Sequence, residues 1–368
     1  MNDFSSHLSV TVALYVLNCV ATSTVSLHRD MDGERIDFIN RCHHDGKRGT
    51  WTARRNFRIG QTDEEKRALT GVLFRPTTLP NLPPSHPTRA VASLPATFDA
   101  RLKWPNCTII SDVRNQLQCG SCWAHTGASV ISDRLCIASP GQKTNFKASV
   151  QDILTCNNKV PWNITSSCFG GYLDTPFAMW TTTGQYSGVV SGGEYGSSIG
   201  CKPYTAMDAA CSLSCSNSDY GNSYANDKTH GFRAYNLGLP YPSTKETPTS
   251  AAIIDAIRND IMTNGPLAVA FDVYADFYLY GLGIYKHTTG SSMGGHGLTV
   301  IGWGTDGGVD YWLMKNSWGP NWGSLGGFVK FLRGINHLGI ETALAAALPL
   351  APAATPPTTA KTSMTGRN

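Results

Sequence analysis

The hydrophobic and polar positions divide the chain into a short apolar run, a polar leader, a long globular segment and a polar tail. The apolar run extends from Leu8 to Ala21, and the small residues Thr22 and Ser23 follow it. A run of about 14 residues is too short for a membrane span and is typical of a signal peptide. We therefore expect residues 1–25 to be a signal peptide.

The segment 26–93 is polar, and its second half is rich in proline. Because proline cannot continue a helix, this composition indicates a pro-region that ends in a hinge. Over residues 94–346, apolar stretches alternate with glycine-rich turns, which predicts the main globular unit. Residues 347–368 are mostly Ala, Pro and Thr and offer too little apolar surface to offset the entropy of ordering. We expect a disordered or removable tail there.

The spacing of apolar residues and two β-rich stretches predict one helix and two strands in the globular unit. Four apolar residues recur at the spacing of one buried helical face, namely Ala124, Ala128, Ile131 and Leu135. Ser121 can cap this helix, which places Cys122 in its first turn. Two β-rich stretches, Leu298–Ile301 and Tyr311–Met314, are predicted to be strands joined by a glycine-rich turn. His296 would precede the first strand, and Asn316 would end the second.

Composition narrows the class of protein. With 41% hydrophobic and 15% charged residues, the chain has the balance of an ordinary globular protein. The formal net charge of +4 is spread along the chain, so no basic stripe marks a nucleic-acid interface. No later stretch is long and apolar enough for a membrane span in the mature form. Asn106 and Asn163 stand in glycosylation acceptor sequences that are usable only along the secretory route.

The cysteines point to one unpaired thiol. Of eleven cysteines, Cys19 lies in the expected signal peptide and Cys42 in the polar leader. The other nine lie in the globular unit, and an odd number leaves one without a disulfide partner. They are Cys107, Cys119, Cys122, Cys136, Cys156, Cys168, Cys201, Cys211 and Cys215.

Cys122 is the candidate nucleophile. A thiol reacts as the thiolate, and the N–H groups at the start of a helix lower its pKa, as does a nearby imidazolium. Such a thiol needs a histidine to exchange its proton and a third group to orient that histidine. His125, one turn later, is an alternative base, although a packing or solvent-facing role is the simpler interpretation. His43 and His44 beside Cys42 lack a second ligand pair at zinc spacing, so no metal or cofactor is implied.

Three motifs resemble those of the papain-like cysteine peptidases. Cys119–Trp123 has the sequence Cys-Gly-Ser-Cys-Trp, which is similar to the nucleophile motif of that family. His296, 174 residues after Cys122, and Asn316, 194 residues after it, stand in sequences that resemble the histidine and asparagine motifs.

The resemblance is to the cathepsin B branch and covers about residues 34–345. Leu94–Arg101 resembles the mature N-terminus of that branch, while Thr50–Ala53 and Asn56–Phe57 resemble its propeptide. It implies an α+β, papain-like two-domain fold with a helical left domain, a β-barrel-like right domain and the active-site cleft between them. A propeptide would lie along that cleft and block it until it is removed.

By resemblance, Cys122 attacks the scissile carbonyl to form an acyl-enzyme, and His296 protonates the leaving amine and later activates water. Asn316 orients the imidazole, and Gln116 supplies a side-chain oxyanion donor. The substrate-binding residues implied are Gly170, Gly171, Gly295, Trp318 and Ala343. The implied disulfides are Cys107–Cys136, Cys119–Cys168, Cys156–Cys211 and Cys201–Cys215, which leave Cys122 unpaired.

Two departures from cathepsin B concern specificity. The long occluding loop of that branch, with its two adjacent histidines, is reduced here to Lys202–Ala210 without histidine. We therefore expect endopeptidase action with weak or no release of dipeptides. Ala343 stands where the branch has an acidic residue at the base of the S2 pocket, so an apolar P2 residue is expected, because an unpaired guanidinium would lose hydration there.

Three further departures keep a second hypothesis open. Leu117 replaces a glycine, Phe169 replaces an asparagine before Gly170, and His125 replaces an aromatic residue. If Leu117 and Phe169 spoil the cleft, the chain would be a catalytically silent binding protein. An acyltransferase with the same triad is a weaker alternative. The enzyme hypothesis implies protein and peptide substrates, the propeptide and cystatin-type inhibitors as partners, and a lysosome-like or extracellular location.

Overall fold

The structure is a computed structural model that describes residues 30–44, 49–74, 82–84, 93–139, 145–157, 167–238 and 246–350. The expected signal peptide, the acceptor Asn163 and residues 351–368 of the expected tail lie outside these ranges. No helix in the described part of the chain combines the length and hydrophobicity that a bilayer span requires.

The leader forms a small unit that packs on the main domain. It contains helix α1 (Met31–His44), strand β1 (Trp51–Ala53) and helix α2 (Asp63–Arg67). Lys66 of α2 is buried, and its Nζ lies 2.6 Å from a carboxylate oxygen of Asp32 in α1. Arg35 of α1 donates two hydrogen bonds to the carboxylate of Asp63, at 2.8 and 2.6 Å. Ion pairs therefore hold the two leader helices together.

The first half of the main domain is helical. Its helices are α3 (Ala100–Lys103), α4 (Cys122–Ala138), α5 (Val150–Cys156), α6 (Thr175–Thr181) and α7 (Tyr224–Asp227). Every residue of α4 from Cys122 to Cys136 is buried, so the helix is enclosed on all sides and not only along the predicted apolar face. The prediction that the Ser121 side chain caps α4 is wrong, because its hydroxyl bonds with that of Tyr204 at 2.9 Å instead.

The second half is built on one sheet with helix α8 (Ala251–Asn264). Its strands are β2 (Phe98–Asp99), β3 (Gly231–Leu237), β4 (Leu267–Tyr274), β5 (Tyr280–Tyr285), β6 (Ser292–Asp306), β7 (Val309–Lys315), β8 (Phe328–Leu332) and β9 (Ala343–Pro349). The strand order is β1-β5-β8-β7-β6-β4-β9-β3, and β2 pairs with β6. The α+β class is confirmed, but the sheet is not a closed barrel, because β1 and β3 end the described order without pairing with each other.

Two boundaries differ from those predicted from the sequence. Strand β6 begins at Ser292, so His296 lies inside the strand and not before it. Strand β9 extends to Pro349 and pairs with β3 through Ala347, Leu348 and Pro349. The strand therefore extends past residue 346, and its last residues complete the pairing with β3.

The structure confirms the four disulfides, which are Cys107–Cys136, Cys119–Cys168, Cys156–Cys211 and Cys201–Cys215. Cys122 is not part of any of these disulfides. Cys119–Cys168 lies just ahead of α4 and ties this turn to the segment that contains Gly170 and Gly171.

A buried arginine connects α4 to the sheet half. Arg134 is fully buried, and its guanidinium donates to Asp260 of α8 at 2.7 Å and to the Tyr235 hydroxyl at 2.7 Å. Its Nε donates to the carbonyl of Pro266 at 2.8 Å. Since every one of these partners belongs to the sheet half, this side chain fixes how the two halves pack.

The variant Asp260→Ala is expected to lower the free energy of unfolding by about 3 kcal/mol or more, because it leaves the buried Arg134 charge uncompensated. Asp255→Ala, on the exposed side of the same helix, should change it by less than about 1 kcal/mol. Urea unfolding of the full chain, with Cys122→Ala present to prevent self-cleavage, measures both changes. Equal effects of the two variants would contradict a special role for the buried pair.

Candidate active site

Cys122 is the first residue of α4, so its thiol lies where backbone N–H groups are not used within the helix. The thiol is fully buried, and this burial raises its pKa to about 11. Backbone N–H donors of Gly297, Gly71 and Trp123 act in the opposite direction and lower this pKa. Two of these donors belong to other segments, because Gly297 follows His296 in β6 and Gly71 belongs to the leader.

His296 is held by Asn316, which directly follows β7. The ring Nε2 lies 2.8 Å from Oδ1 of Asn316, and the same oxygen accepts the backbone N–H of Ser317 at 2.7 Å. An amide oxygen can only accept hydrogen bonds. Nε2 of His296 is therefore the donor and carries the ring proton. Nδ1 then has its lone pair free, and it is buried without a hydrogen-bond partner among the described residues. Burial lowers the pKa of His296 to about 4.

Aromatic rings cover the His296–Asn316 pair. The Trp318 ring lies 4.5 Å from that of His296, centre to centre, and stacks on Tyr278 at 4.8 Å. Phe57 of the leader adds an edge contact to Trp318 at 6.0 Å. Water is therefore excluded from the hydrogen bond that orients the imidazole, which strengthens that bond.

Gln116 lies on the other side of the cleft and is fully buried. Its Nε2 donates to the carbonyl of Leu69 in the leader at 3.0 Å and to that of Cys119 at 2.8 Å. Its Oε1 accepts from the Ser317 hydroxyl at 2.8 Å, which fixes the orientation of the amide. Gln116 therefore presents an N–H donor to a carbonyl that lies in the cleft.

The leader passes between the walls of the cleft as a short extended strand. The N–H groups of Gly71 and Val72 both donate to the carbonyl of Gly295 at 3.0 Å. On the opposite wall, Gly171 donates to the Gly71 carbonyl at 2.8 Å and accepts from Leu73 at 2.9 Å. A Cβ on Gly71 would lie 1.8 Å from the carbonyl oxygen of Gly120, so only glycine fits at this position.

A pocket of about 270 Å³ adjoins this strand and includes Ala343 in its lining. Leader residues Phe74, Leu82 and Pro84 form part of its wall, so the leader occupies this side of the cleft too. Asp174 also lines the pocket, at the N-cap position of α6, and is buried. Asp174 stands in no recognisable sequence motif, and only the fold brings α6 next to β9.

Leu117, Phe169 and His125, which depart from the family pattern, do not obstruct the cleft. Leu117 adopts a φ of 52°, the left-handed conformation that suits glycine, and its N–H donates to the Asn115 side chain at 3.1 Å. Phe169 is 92% exposed, so its ring projects away from the Gly170–Gly171 wall. His125 is buried; its ring meets Tyr204 edge-on at 4.7 Å, and burial lowers its pKa to about 4. His125 is therefore a packing residue, as the simpler interpretation held.

Comparison with known proteins agrees with this geometry. Residues 94–348 match the family model described as papain family cysteine protease. Cathepsin B-like cysteine proteinase 4 of Caenorhabditis elegans is 39% identical over 277 residues, covering 70% of this chain and 76% of that protein. The gut-specific cysteine proteinase of the same organism is 42% identical over 267 residues, covering 70% of this chain and 74% of that protein.

Solved precursor structures have the same fold. Procathepsin B S9 from Trypanosoma congolense has a TM-score of 0.68 at 29% identity and covers 86% of this chain and 98% of its own. Digestive procathepsin L2 proteinase from Tenebrio molitor larval midgut has a TM-score of 0.67 at 25% identity, covering 92% and 99% of the two chains. Since the family match spans nearly the whole globular unit and the leader has its counterpart in these precursors, the chain belongs to the papain family of cysteine proteases.

Proposed function

We propose that the chain is the precursor of an endopeptidase in which Cys122 is the nucleophile and His296 the base. The observation that carries this proposal is the hydrogen bond from Nε2 of His296 to Asn316. It leaves the Nδ1 lone pair as the proton acceptor, on a strand whose next residue, Gly297, packs so closely on α4 that a Cβ there would lie 3.3 Å from the Cys122 carbonyl oxygen. The base, its orienting group and the nucleophile are thus supplied by three separate segments.

In the proposed reaction the Cys122 thiol gives its proton to Nδ1 of His296, and the sulfur bonds to the scissile carbonyl carbon. The carbon–nitrogen bond then breaks, and the leaving amine takes the proton from the imidazole. Water attacks the thioester while His296 accepts one of its protons. The acid product leaves, and the proton returns to the sulfur.

Gln116 is proposed to stabilise the oxyanion, together with the backbone N–H of Cys122. Its Nε2 already donates to a carbonyl in the cleft, that of Leu69, at 3.0 Å. The hydrogen bond from Ser317 to its Oε1 keeps the N–H groups turned toward the cleft. No rearrangement of the amide is needed for a substrate carbonyl to take the place of the leader.

The leader is proposed to act as the inhibitor of this site. It uses main-chain hydrogen bonds to Gly171 and Gly295, the same two walls that would hold an extended substrate. Its removal would leave Gly171, Gly295, Trp318 and the Ala343 pocket open to a peptide. Cystatin-type inhibitors are proposed partners that would enter the same opened cleft.

The silent-homologue hypothesis is weakened by the positions of its two residues. Leu117 adopts the left-handed backbone without displacing Gln116, whose amide keeps its partners. Phe169 points to solvent and leaves Gly171 free to make strand-like hydrogen bonds. The four disulfides require an oxidising environment, so this is a protein of the secretory pathway or the extracellular space. A lysosome-like compartment is one proposed location within that route.

The variant Cys122→Ala is expected to lower kcat/KM for a Leu-Arg fluorogenic peptide by about 10⁴-fold, because the covalent step loses its nucleophile. The assay uses the full chain cleaved ahead of Leu94 by an added peptidase. Leu102→Ala, at an exposed residue that remains in the processed chain, is the control and should retain full activity. A folded wild-type protein with no turnover and no labelling by an epoxide warhead would favour the silent binding protein.

Removal of the leader is expected to lower the pKa of the Cys122 thiol from about 11, because burial is the main cause of the raised value. The pH midpoint of alkylation by iodoacetamide, measured in a Cys42→Ala background, reports this pKa. The midpoint should lie at lower pH in the processed chain than in the precursor. The same midpoint in both forms would show that the leader does not control ionisation of the thiol.

Peptides with Leu at P2 are expected to be cleaved about tenfold faster than the same peptides with Arg, because the pocket at Ala343 is largely apolar. Each peptide is tested with a free carboxylate and with an amide at its C-terminus. Equal rates for the two ends are expected of an endopeptidase, whereas a strong preference for the free carboxylate would indicate release of dipeptides. Equal rates for the Leu and Arg peptides would contradict the apolar preference. They would indicate that the Asp174 carboxylate, which lines the pocket, pairs with the Arg side chain.

A further inference from the structure

A network of buried polar side chains connects the start of α4 to Gln116. We call it the Tyr204 network; its members are His125 of α4, Ser121 directly before α4, Tyr204 and Gln116, and all four are buried. Of these, only Gln116 has a part in the reaction proposed above. Buried polar groups need hydrogen-bond partners, so the question is what the other three side chains hold in place.

The hydrogen bonds of the Tyr204 network run in one direction. The Gln116 carbonyl oxygen can only accept, so the Tyr204 hydroxyl at 2.9 Å donates to it. With its proton used in this way, the Tyr204 oxygen accepts from the Ser121 hydroxyl at 2.9 Å. Nδ1 of His125 lies 3.1 Å from both the carbonyl oxygen and the hydroxyl oxygen of Ser121. Nδ1 therefore carries the ring proton, and each hydrogen bond strengthens the next one toward Gln116.

The surroundings of His125 preserve this direction. Its Nε2 is buried and has no hydrogen-bond partner among the described residues. A second proton on the ring would lack hydration, and burial accordingly lowers the pKa of His125 to about 4. The charge of Glu194 opposes this shift, whereas the charges of Arg114 and Lys147 act in the same direction as burial. The ring also meets that of Tyr204 edge-on, so packing and hydrogen bonding fix the same side chains.

The main chain of Gln116 is held from both halves of the molecule. Its N–H donates to the carbonyl of Ser317 in the sheet half at 2.9 Å, and its carbonyl accepts from Tyr204 in the helical half. The next residue, Leu117, has a φ of 52°, which is strained for a residue with a side chain. The Tyr204 hydroxyl therefore retains the peptide group between Gln116 and Leu117 in an orientation that the local backbone does not favour.

Tyr204 is itself held by its own main chain. It lies in the short connection Lys202–Ala210, and its N–H donates to the carbonyl of Gly193 at 3.0 Å. The N–H of the next residue, Thr205, donates to the side chain of Gln151 in α5 at 2.9 Å. Because the backbone around Tyr204 is fixed in this way, its hydroxyl is a stationary support for the Gln116 carbonyl.

We propose that the Tyr204 network positions Gln116: it fixes the main chain of this residue and thereby directs its side-chain amide at the oxyanion. His125, Ser121 and Tyr204 are positioning residues, because each acts through the next member of the network. This inference rests on the proposed peptidase function, in which Gln116 stabilises the oxyanion. Since the oxyanion exists only in the transition state, a displaced amide lowers kcat and leaves KM nearly unchanged.

The first test is Tyr204→Phe, which keeps the ring and removes the hydroxyl. In the processed chain, with active sites counted by an epoxide label, kcat for a Leu-Arg coumarin substrate should fall about tenfold, and KM should change by less than about twofold. Tyr280→Phe is the matched control, because it removes another buried hydroxyl that donates to a backbone carbonyl, that of Gly283 at 2.7 Å. It should keep kcat. An unchanged kcat in Tyr204→Phe would overturn the proposal.

A double-mutant cycle shows whether Tyr204 acts through Gln116. Gln116→Ala alone should lower kcat by about 10²-fold or more, because an oxyanion donor is lost. Once the amide is absent, adding Tyr204→Phe should change kcat by less than about twofold. A further tenfold loss would mean that Tyr204 only supports the fold, which contradicts the proposal. Ser121→Ala, which breaks the middle link and keeps every ring, takes the place of Tyr204→Phe if that variant does not fold.

Two variants of His125 test the first link of the network. His125→Asn keeps an N–H donor near the position of Nδ1, whereas His125→Phe keeps a ring and removes the donor. The value of kcat should be at least about threefold higher for His125→Asn than for His125→Phe, because the hydrogen bond to Ser121 survives only in the former. Equal values, or a higher value for His125→Phe, would overturn the assignment of His125 to the network.

Turnover by the wild-type protein separates this inference from the proposed function. If the processed wild-type chain does not hydrolyse the coumarin substrate, the peptidase proposal has failed. Solvent exchange of the Gln116 side-chain amide protons then decides, followed by NMR in the full chain with Cys122→Ala. Faster exchange in Tyr204→Phe than in Tyr280→Phe would support positioning of the amide by the Tyr204 network, and equal exchange would overturn it.

Discussion

The close approach of α4 to β6 is the constraint on which the rest of the site depends. It is possible because residue 297 is glycine: a Cβ there would lie 2.8 Å from the Thr126 hydroxyl and 3.3 Å from the Cys122 carbonyl. Gly295 has the same role for the leader, since its Cβ would lie 2.3 Å from the carbonyl of Val72. The glycines on either side of His296 therefore allow a helix and an inhibitory strand to meet at one histidine.

The residues that meet in the cleft could be found from the sequence because each stands in a local motif. Cys122, His296 and Asn316 were identified by motif and spacing, and their convergence depends on the α4–β6 contact. Tyr204 and Asp174 have no such motif, and each reaches the site only through long-range packing. The open sheet and the length of β9 could not be predicted either, because edge pairing depends on residues far apart in the chain. The sequence predicted that the Ser121 side chain caps α4. It could not show the hydrogen bond to the Tyr204 hydroxyl, because Tyr204 is remote in sequence.

Burial keeps the side chains of Cys122 and His296 uncharged in the precursor. It raises the pKa of Cys122 and lowers that of His296, so both changes oppose formation of a thiolate–imidazolium pair. The aromatic cover and the leader contribute to the same dehydration. The leader strand lies in the cleft, and in this precursor both groups are uncharged.

The ion pairs between the two leader helices make the contact between these helices depend on acidity. Arg35 donates to Asp63 and thereby lowers the pKa of that carboxyl below its usual value. A carboxyl with a depressed pKa stabilises the contact between α1 and α2 at neutral pH, and this contribution disappears as the pH falls through the depressed value. Acid consequently weakens the contact between α1 and α2, the helix that directly precedes the strand in the cleft. The precursor thus contains an acid-sensitive contact within the leader, outside the cleft itself.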